Sequence, residues 1–340
     1  MNNTPIYPAL TLSLPKRAVL SLAFSPNGEM IAGGTGGEWS LFQGRENVIR
    51  IWESQTGQLL YTLTGHLSAV TAVAFSLDGS LLASGSLDGT IKLWNAKTFQ
   101  ERLTLNQPSS KPWKFDGKPL RISLPKIDTV AFHPNQQFFA AGTINDYVSL
   151  WDCNSGEEIV LMGGHSAFTS IAFSSDGKLL ATCDDHAGYN LFDVSKGEGI
   201  YPPSAKVVVG GIQDRGLTSP TLVPRLKTVN FSPNGTVLAG GGFKGSITLW
   251  NVGTGEKLYQ FRGHKDIITS LAFSPDGKLL ASSSWDSKIK LWNPETAEQM
   301  YILEGHTKEI YAIAFSPDGS TLVSSSADKT IRLWRCDCLS

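Results

Sequence analysis

Seven times along the 340 residues, a short apolar strand ends in Phe, a turn follows, and an aromatic residue then closes a later strand. The Phe positions are 24, 75, 132, 173, 231, 273 and 315, and the closing aromatics are Trp52, Trp94, Trp151, Phe192, Trp250, Trp292 and Trp334. The spacing from Phe to aromatic is 19 in six copies and 28 in the first, and the last two copies are 42 residues apart. A period of this length marks one supersecondary unit that cannot bury its apolar face alone and must stack against its neighbours.

The second unit shows what each copy contains. Ala72–Ser76 and Leu81–Ser84 read as strands on either side of the turn Ser76-Leu77-Asp78-Gly79, whose Asp and Gly accept tight-turn dihedrals. Asp88-Gly89 marks a hairpin into Thr90–Trp94, and Gln100–Leu105 supplies a fourth strand. Four short strands repeated seven times, with no helical period between them, predict an all-β, seven-bladed propeller.

The repeats resemble the WD-repeat family over nearly the whole chain. The marks are Gly65-His66, Gly164-His165, Gly263-His264 and Gly305-His306, each upstream of the Phe phrase, and Trp followed by Asp or Asn at Trp94-Asn95, Trp151-Asp152, Trp250-Asn251 and Trp292-Asn293. The wording Ser274-Pro275-Asp276-Gly277-Lys278-Leu279-Leu280-Ala281-Ser282 looks like that of bacterial members. The resemblance implies an offset between sequence unit and blade. Residues 8–14 would then close the last blade against Thr330–Trp334, making 1–340 a single domain with no open sheet edge.

Three units carry the sets His66, Ser84, Asp88, Trp94; His264, Ser282, Asp286, Trp292; and His306, Ser324, Asp328, Trp334. These residue types also make up a catalytic triad, but a nucleophile needs exposure and an oxyanion hole, and three equivalent copies offer neither. The resemblance implies a buried hydrogen-bond chain instead. The other units depart from it. Unit four has His165, Thr182, His186 and Phe192. Units one, three and five lack Gly-His and put Glu46, Asn145 and Lys244 at the acid position. Cys183-Asp184-Asp185-His186 reads as a turn rather than a metal site, because no second ligand pair has the needed spacing. Cys336 and Cys338, in a short tail, are given no metal or redox role.

Function is sought in what the repeats do not share. Extra residues fall at about 35–47, 106–125 and 205–224, in b–c or d–a connections, which open on one face of a propeller. Of nine tryptophans, the three outside the repeated site are Trp39, Trp113 and Trp285, and all map to that face. Blades five to seven are predicted to present Phe243, Trp285 and Tyr311 beside Arg225 and Lys227. Aromatics with Arg make up interaction hot spots. Residues 111–126 carry Lys111, Lys114, Lys118, Arg121 and Lys126 against Asp116 alone, with Trp113 and Phe115 between them. This leaves a phosphate-rich or nucleic-acid ligand as the alternative.

Composition narrows the class. The net charge of −1 argues against a nucleic-acid binder. No apolar run reaches the ~20 residues of a membrane helix, and no signal peptide is visible at the N-terminus. Four cysteines make no disulfide framework, which points to the cytoplasm. There is no phosphate loop, nucleophile elbow or metal spacing. The expectation is therefore a non-enzymatic scaffold, monomeric outside its complex, that needs no cofactor or metal and binds a protein on the decorated face. A propeller enzyme is the third reading.

Overall fold

The computed structural model describes residues 6–14, 17–36, 46–106, 114–115, 118–119, 126–143, 147–163, 168–184, 188–194 and 225–336. It is a seven-bladed propeller of antiparallel sheets. Blade 2 is typical: Val70–Phe75 (strand a), Leu81–Ser86 (b), Thr90–Asn95 (c) and Glu101–Asn106 (d), hydrogen-bonded in that order. Blades 1, 3, 5 and 6 repeat the order from inner strands Ala18–Phe24, Ile127–Phe132, Leu226–Phe231 and Ile268–Phe273. Blade 4 has three strands among the described residues, starting from Phe168–Phe173.

Blade 7 is composite. Its inner strands, Ile310–Phe315, Thr321–Ser326 and Thr330–Arg335, come from the end of the chain, and its outer strand is Leu10–Ser13 from the beginning. The register runs from Leu10 opposite Leu333 to Ser13 opposite Thr330. Just upstream, Ile6 makes a parallel bridge to Leu303 on the outer strand of blade 6: Ile6 N–H donates to the Ile302 carbonyl at 3.1 Å, and Glu304 N–H donates to that of Ile6 at 3.2 Å. The first residues thus join two blades.

The repeated aromatics form the blade interfaces. Trp94 of blade 2 packs with Ile49, Ile51 and Leu63 of blade 1. Trp151 packs into the blade 2 cluster, and Trp334 into that of blade 6. Each indole removes about 200 Å² from water, on the order of 5 kcal/mol at roughly 25 cal/mol per Å². Alternation supplies the rest: in each strand, one set of side chains faces the next blade while the other faces the previous one.

The turn between strands a and b explains the Ser-x-Asp/Asn-Gly phrase. Ser76 Oγ donates to Asp78 Oδ1 at 2.6 Å and accepts from Leu81 N–H at 2.9 Å. Gly79 sits at φ +67°, in the left-handed region that glycine adopts without steric cost. The same hydroxyl–carboxylate or hydroxyl–amide bond recurs at Ser25, Ser174, Ser232, Ser274 and Ser316. In blade 3 His133 takes the serine's place. Its Nδ1 accepts from Asn135 N–H, and its Nε2–H donates to the Gly177 carbonyl in blade 4.

Candidate functional site

Three buried sets link strands and loop by the same relay. In blade 7, Trp334 Nε1–H donates to Ser324 Oγ at 2.8 Å, Ser324 Oγ–H donates to His306 Nε2 at 2.8 Å, and His306 Nδ1–H donates to Asp328 Oδ2 at 2.8 Å. Asp328 also accepts from Thr307 and Thr330 N–H, tying down the loop before strand a. Blades 2 and 6 repeat this through His66 and His264. Ser84, Ser282 and Ser324 are fully buried, so no substrate reaches their hydroxyls. Burial alone would raise these carboxyls, but the histidine hydrogen bonds outweigh it. Asp286 is held at about 2, and Asp88 and Asp328 are held well below the usual range. Burial pushes His306 down, against the pull of Asp328. These sets are staples, not catalytic triads.

The register shows what replaces the staple serine elsewhere. Gly33 and Gly240 stand in its place in blades 1 and 5, where an added Cβ would lie 2.8 Å from Trp52 and 2.7 Å from Trp250. Ala141 stands there in blade 3, and the buried Trp151 Nε1 has no hydrogen-bond partner. Cys183 is buried, with Thr169 Oγ1 at 3.4 Å, while Asp185 and His186 lie outside the described residues. Among the described residues no group of three or more His, Cys, Asp and Glu could hold a metal.

The feature with binding geometry is the central channel. In every blade strand a carries a β-bulge at its first turn, where two residues oppose one on strand b. In blade 2, for example, Val70 and Ala72 pair with the adjacent Ser86 and Gly85, leaving Thr71 extra. The bulged residues are Leu20, Thr71, Asp128, Thr169, Lys227, Thr269 and Tyr311. A bulge re-aims its extra side chain. All seven line one cavity of about 420 Å³, whereas the preceding Val19, Val70, Ile127, Leu226, Ile268 and Ile310 are buried between blades. The next layer is small: Ser21, Ala72, Thr129, Ser170, Thr228, Ser270 and Ala312.

Several wall hydroxyls are already used between blades. Thr71 Oγ1 donates to the Ile127 carbonyl at 2.6 Å, Thr269 Oγ1 donates to that of Ile310 at 2.8 Å, and Ser21 Oγ accepts from Val73 N–H at 3.0 Å. Asp128 is half-buried in this wall. Burial pushes its carboxyl upward, and among the described residues Lys227 alone pulls it down.

Above this ring lie the turns between strands b and c. Leu87, Phe243, Trp285 and Ala327 occupy one position, each donating its backbone N–H to the residue before strand a, as Trp285 does to Ile267 at 3.0 Å. Trp285 is 42 % exposed and lines the cavity with Tyr311, Lys227 and Leu87. Arg225 and Phe243 stand apart from the cavity as a pair, the guanidinium 5.0 Å from the ring centroid. Of the five residues singled out on blades five to seven, the channel gathers three. Trp39 and Trp113 lie outside the described residues. So do most of the basic insertion and residues 205–224. Within 106–125, Lys114–Phe115 and Lys118–Pro119 form a two-residue antiparallel ribbon. The channel charge Asp128 is not among the binding residues that the sequence singles out. The bulge that aims it is set by pairing with strand b, which its own sequence does not show.

The comparison with protein families decides the identity. The model described as WD domain, G-beta repeat matches seven times, at residues 8–53, 57–95, 119–152, 156–187, 223–251, 255–293 and 297–335. The chain belongs to the WD40 repeat family. Among curated relatives of this WD40 propeller, it is 26 % identical over 248 residues to "Periodic tryptophan protein 2" of Arabidopsis thaliana, covering 72 % of this chain and 23 % of that protein. It is 25 % identical over 250 residues to "Pre-mRNA-processing factor 19" of Oryza sativa subsp. japonica, covering 73 % and 40 %. It is 31 % identical over 157 residues to "WD repeat-containing protein SL1-17" of Schistosoma mansoni, covering 46 % and 47 %. The chain thus spans less than half the length of each. These relatives come from plants and a flatworm, and nothing in them supports the bacterial wording expected from the repeats. No helix among the described residues is long and apolar enough to cross a membrane.

Proposed function

We propose that this WD40 propeller is a non-enzymatic scaffold that docks a protein partner on the face around the channel mouth. The observation that carries the reading is the exposed Trp285 beside Tyr311 and Lys227 at the rim of one cavity. The Arg225–Phe243 pair extends the same set of residue types on blade 5. A large, partly exposed indole at such a rim is a ready anchor, since aromatic and Arg side chains dominate interface energetics. Relatives named for pre-mRNA processing are in keeping with work inside an assembly. The buried, free thiol of Cys153 suits a reducing compartment such as the cytoplasm.

The test is affinity capture from native extract with wild type and with a Phe243→Ala/Trp285→Ala/Tyr311→Ala variant of equal melting temperature. A protein held by wild type and lost by the variant supports the reading. Equal capture by both refutes this placement of the surface.

A further inference from the structure

The ring of bulged residues divides by chemistry. Blades 3 to 5 contribute Asp128, Thr169 and Lys227, while blades 6, 7, 1 and 2 bring Trp285, Tyr311, Leu20 and Leu87, together with Thr269 and Thr71 whose hydroxyls are bonded between blades, to the other side of the same cavity. Asp128 and Lys227 feel each other's charge but make no ion pair within 4.0 Å, since Thr169 of blade 4 separates their strands. No hydrogen bond to the Asp128 carboxylate is found among the described residues, and Lys227 is the one cation acting on it. A carboxylate held this way in a wall is costly to keep ionised without a donor.

The two charges impose a joint requirement. A ligand carrying only an amine would serve Asp128 and crowd Lys227. One carrying only an acid would serve Lys227 and leave Asp128 unmatched. A group with both meets the two charges together. The opposite arc then accepts apolar mass. A volume of about 420 Å³ falls within the range of small-ligand pockets, about 300–1,000 Å³.

We infer that the channel mouth binds a small zwitterion of the α-amino-acid type with an apolar side chain. Its ammonium donates to Asp128, its carboxylate accepts from Lys227, and its side chain packs against Tyr311, Trp285 and Leu20. This goes beyond the scaffold reading and stands whether or not a protein docks above it, because its test uses the purified chain alone.

The experiment is calorimetric titration of the full chain with three probes: L-phenylalanine, phenethylamine, which lacks the carboxylate, and 3-phenylpropanoate, which lacks the ammonium. L-phenylalanine is expected to bind, and each half-molecule to bind about tenfold or more weakly, the size of one lost charge-assisted hydrogen bond. Asp128→Asn should weaken L-phenylalanine and phenethylamine but not 3-phenylpropanoate. Lys227→Met should weaken L-phenylalanine and 3-phenylpropanoate but not phenethylamine. Thermal melts of both variants, with Asp128→Asn expected at or above wild type, separate loss of a contact from loss of fold. Three results overturn the inference: no heat from L-phenylalanine, L-leucine or L-tryptophan up to about 10 mM, half-molecules that match the zwitterion, or well-folded variants that keep wild-type affinity for it.

Discussion

Placing a hydroxyl in the driest part of blade 3 should make the protein more stable. Ala141 is fully buried and occupies the position of the staple serine, and the indole N–H of Trp151 is orphaned beneath it. In blades 2, 6 and 7 the serine oxygen lies 2.8–2.9 Å from the equivalent nitrogen. An unsatisfied buried donor costs about 1–3 kcal/mol. Ala141→Ser supplies the acceptor. Its own proton can turn toward the Ser149 carbonyl, the counterpart of the Lys92 carbonyl that lies 3.5 Å from Ser84 Oγ. Blade 3 has no histidine to receive that proton, so part of the gain is lost, and the net stabilisation is about 1 kcal/mol. Urea unfolding should show a higher midpoint at unchanged slope. The melting temperature should rise by about 1.5 °C, given about 2.1 cal/mol/K of unfolding entropy per residue over 340 residues. Trp151→Phe removes the donor, and in that background Ala141→Ser should destabilise, because the hydroxyl then has no indole to accept from. The sign of the coupling, about 1–2 kcal/mol, carries the result. If Ala141→Ser destabilises equally in both backgrounds, the orphaned indole costs nothing and the argument fails.

Three further outcomes follow from the same contacts. Ser282→Ala should cost about 1–3 kcal/mol in a urea melt, because it leaves both the Trp292 indole and His264 Nε2 without their partner. Stability should fall on acidification in two stages. The folded pKa of His306 is depressed, so its contribution is full above its ordinary 6.5 and fades as pH drops below that. Asp286 follows: its contribution is full above about 4 and is lost toward its folded value of about 2, with Asp88 and Asp328 changing in the same direction. A flat melting temperature from pH 6.5 to 2.5 would rule this out. Deleting residues 1–14 should lower the melting temperature markedly, since it removes the outer strand of blade 7, the bridge to blade 6 and the buried Leu14. An unchanged melt would show that closure contributes little.

Local chemistry made the blades legible. The Phe phrase, the Asp-Gly and Asn-Gly turns and the strand-c aromatic each act within one unit, so their spacing carries over directly into strands. The staples were legible for the same reason, since His66, Ser84, Asp88 and Trp94 lie within one repeat and keep their spacing in two others. The channel was legible only in part. Lys227 and Tyr311 could be chosen by type and position, but Asp128 becomes their counterpart only through the bulge on each strand a and the closure of the ring. The Ile6 bridge was missed because one residue pairing in parallel has no periodicity to betray it. Gly33, Ala141 and Gly240 were visible as departures, yet what each does to its tryptophan depends on cross-strand register.

The composite last blade also sets a timetable for synthesis. Leu10–Ser13 leaves the ribosome long before its partner Thr330–Arg335. Until Thr330–Arg335 emerges, the growing propeller is an open arc of finished sheets. Blade 1 offers its apolar face to nothing, and an N-terminal strand has no partner yet. Every intermediate length is therefore exposed to sticking to a neighbouring nascent chain, or to lending its first strand to another copy's final blade. Closure waits until Thr330–Arg335 has emerged, and the interval before that is when the chain is most exposed.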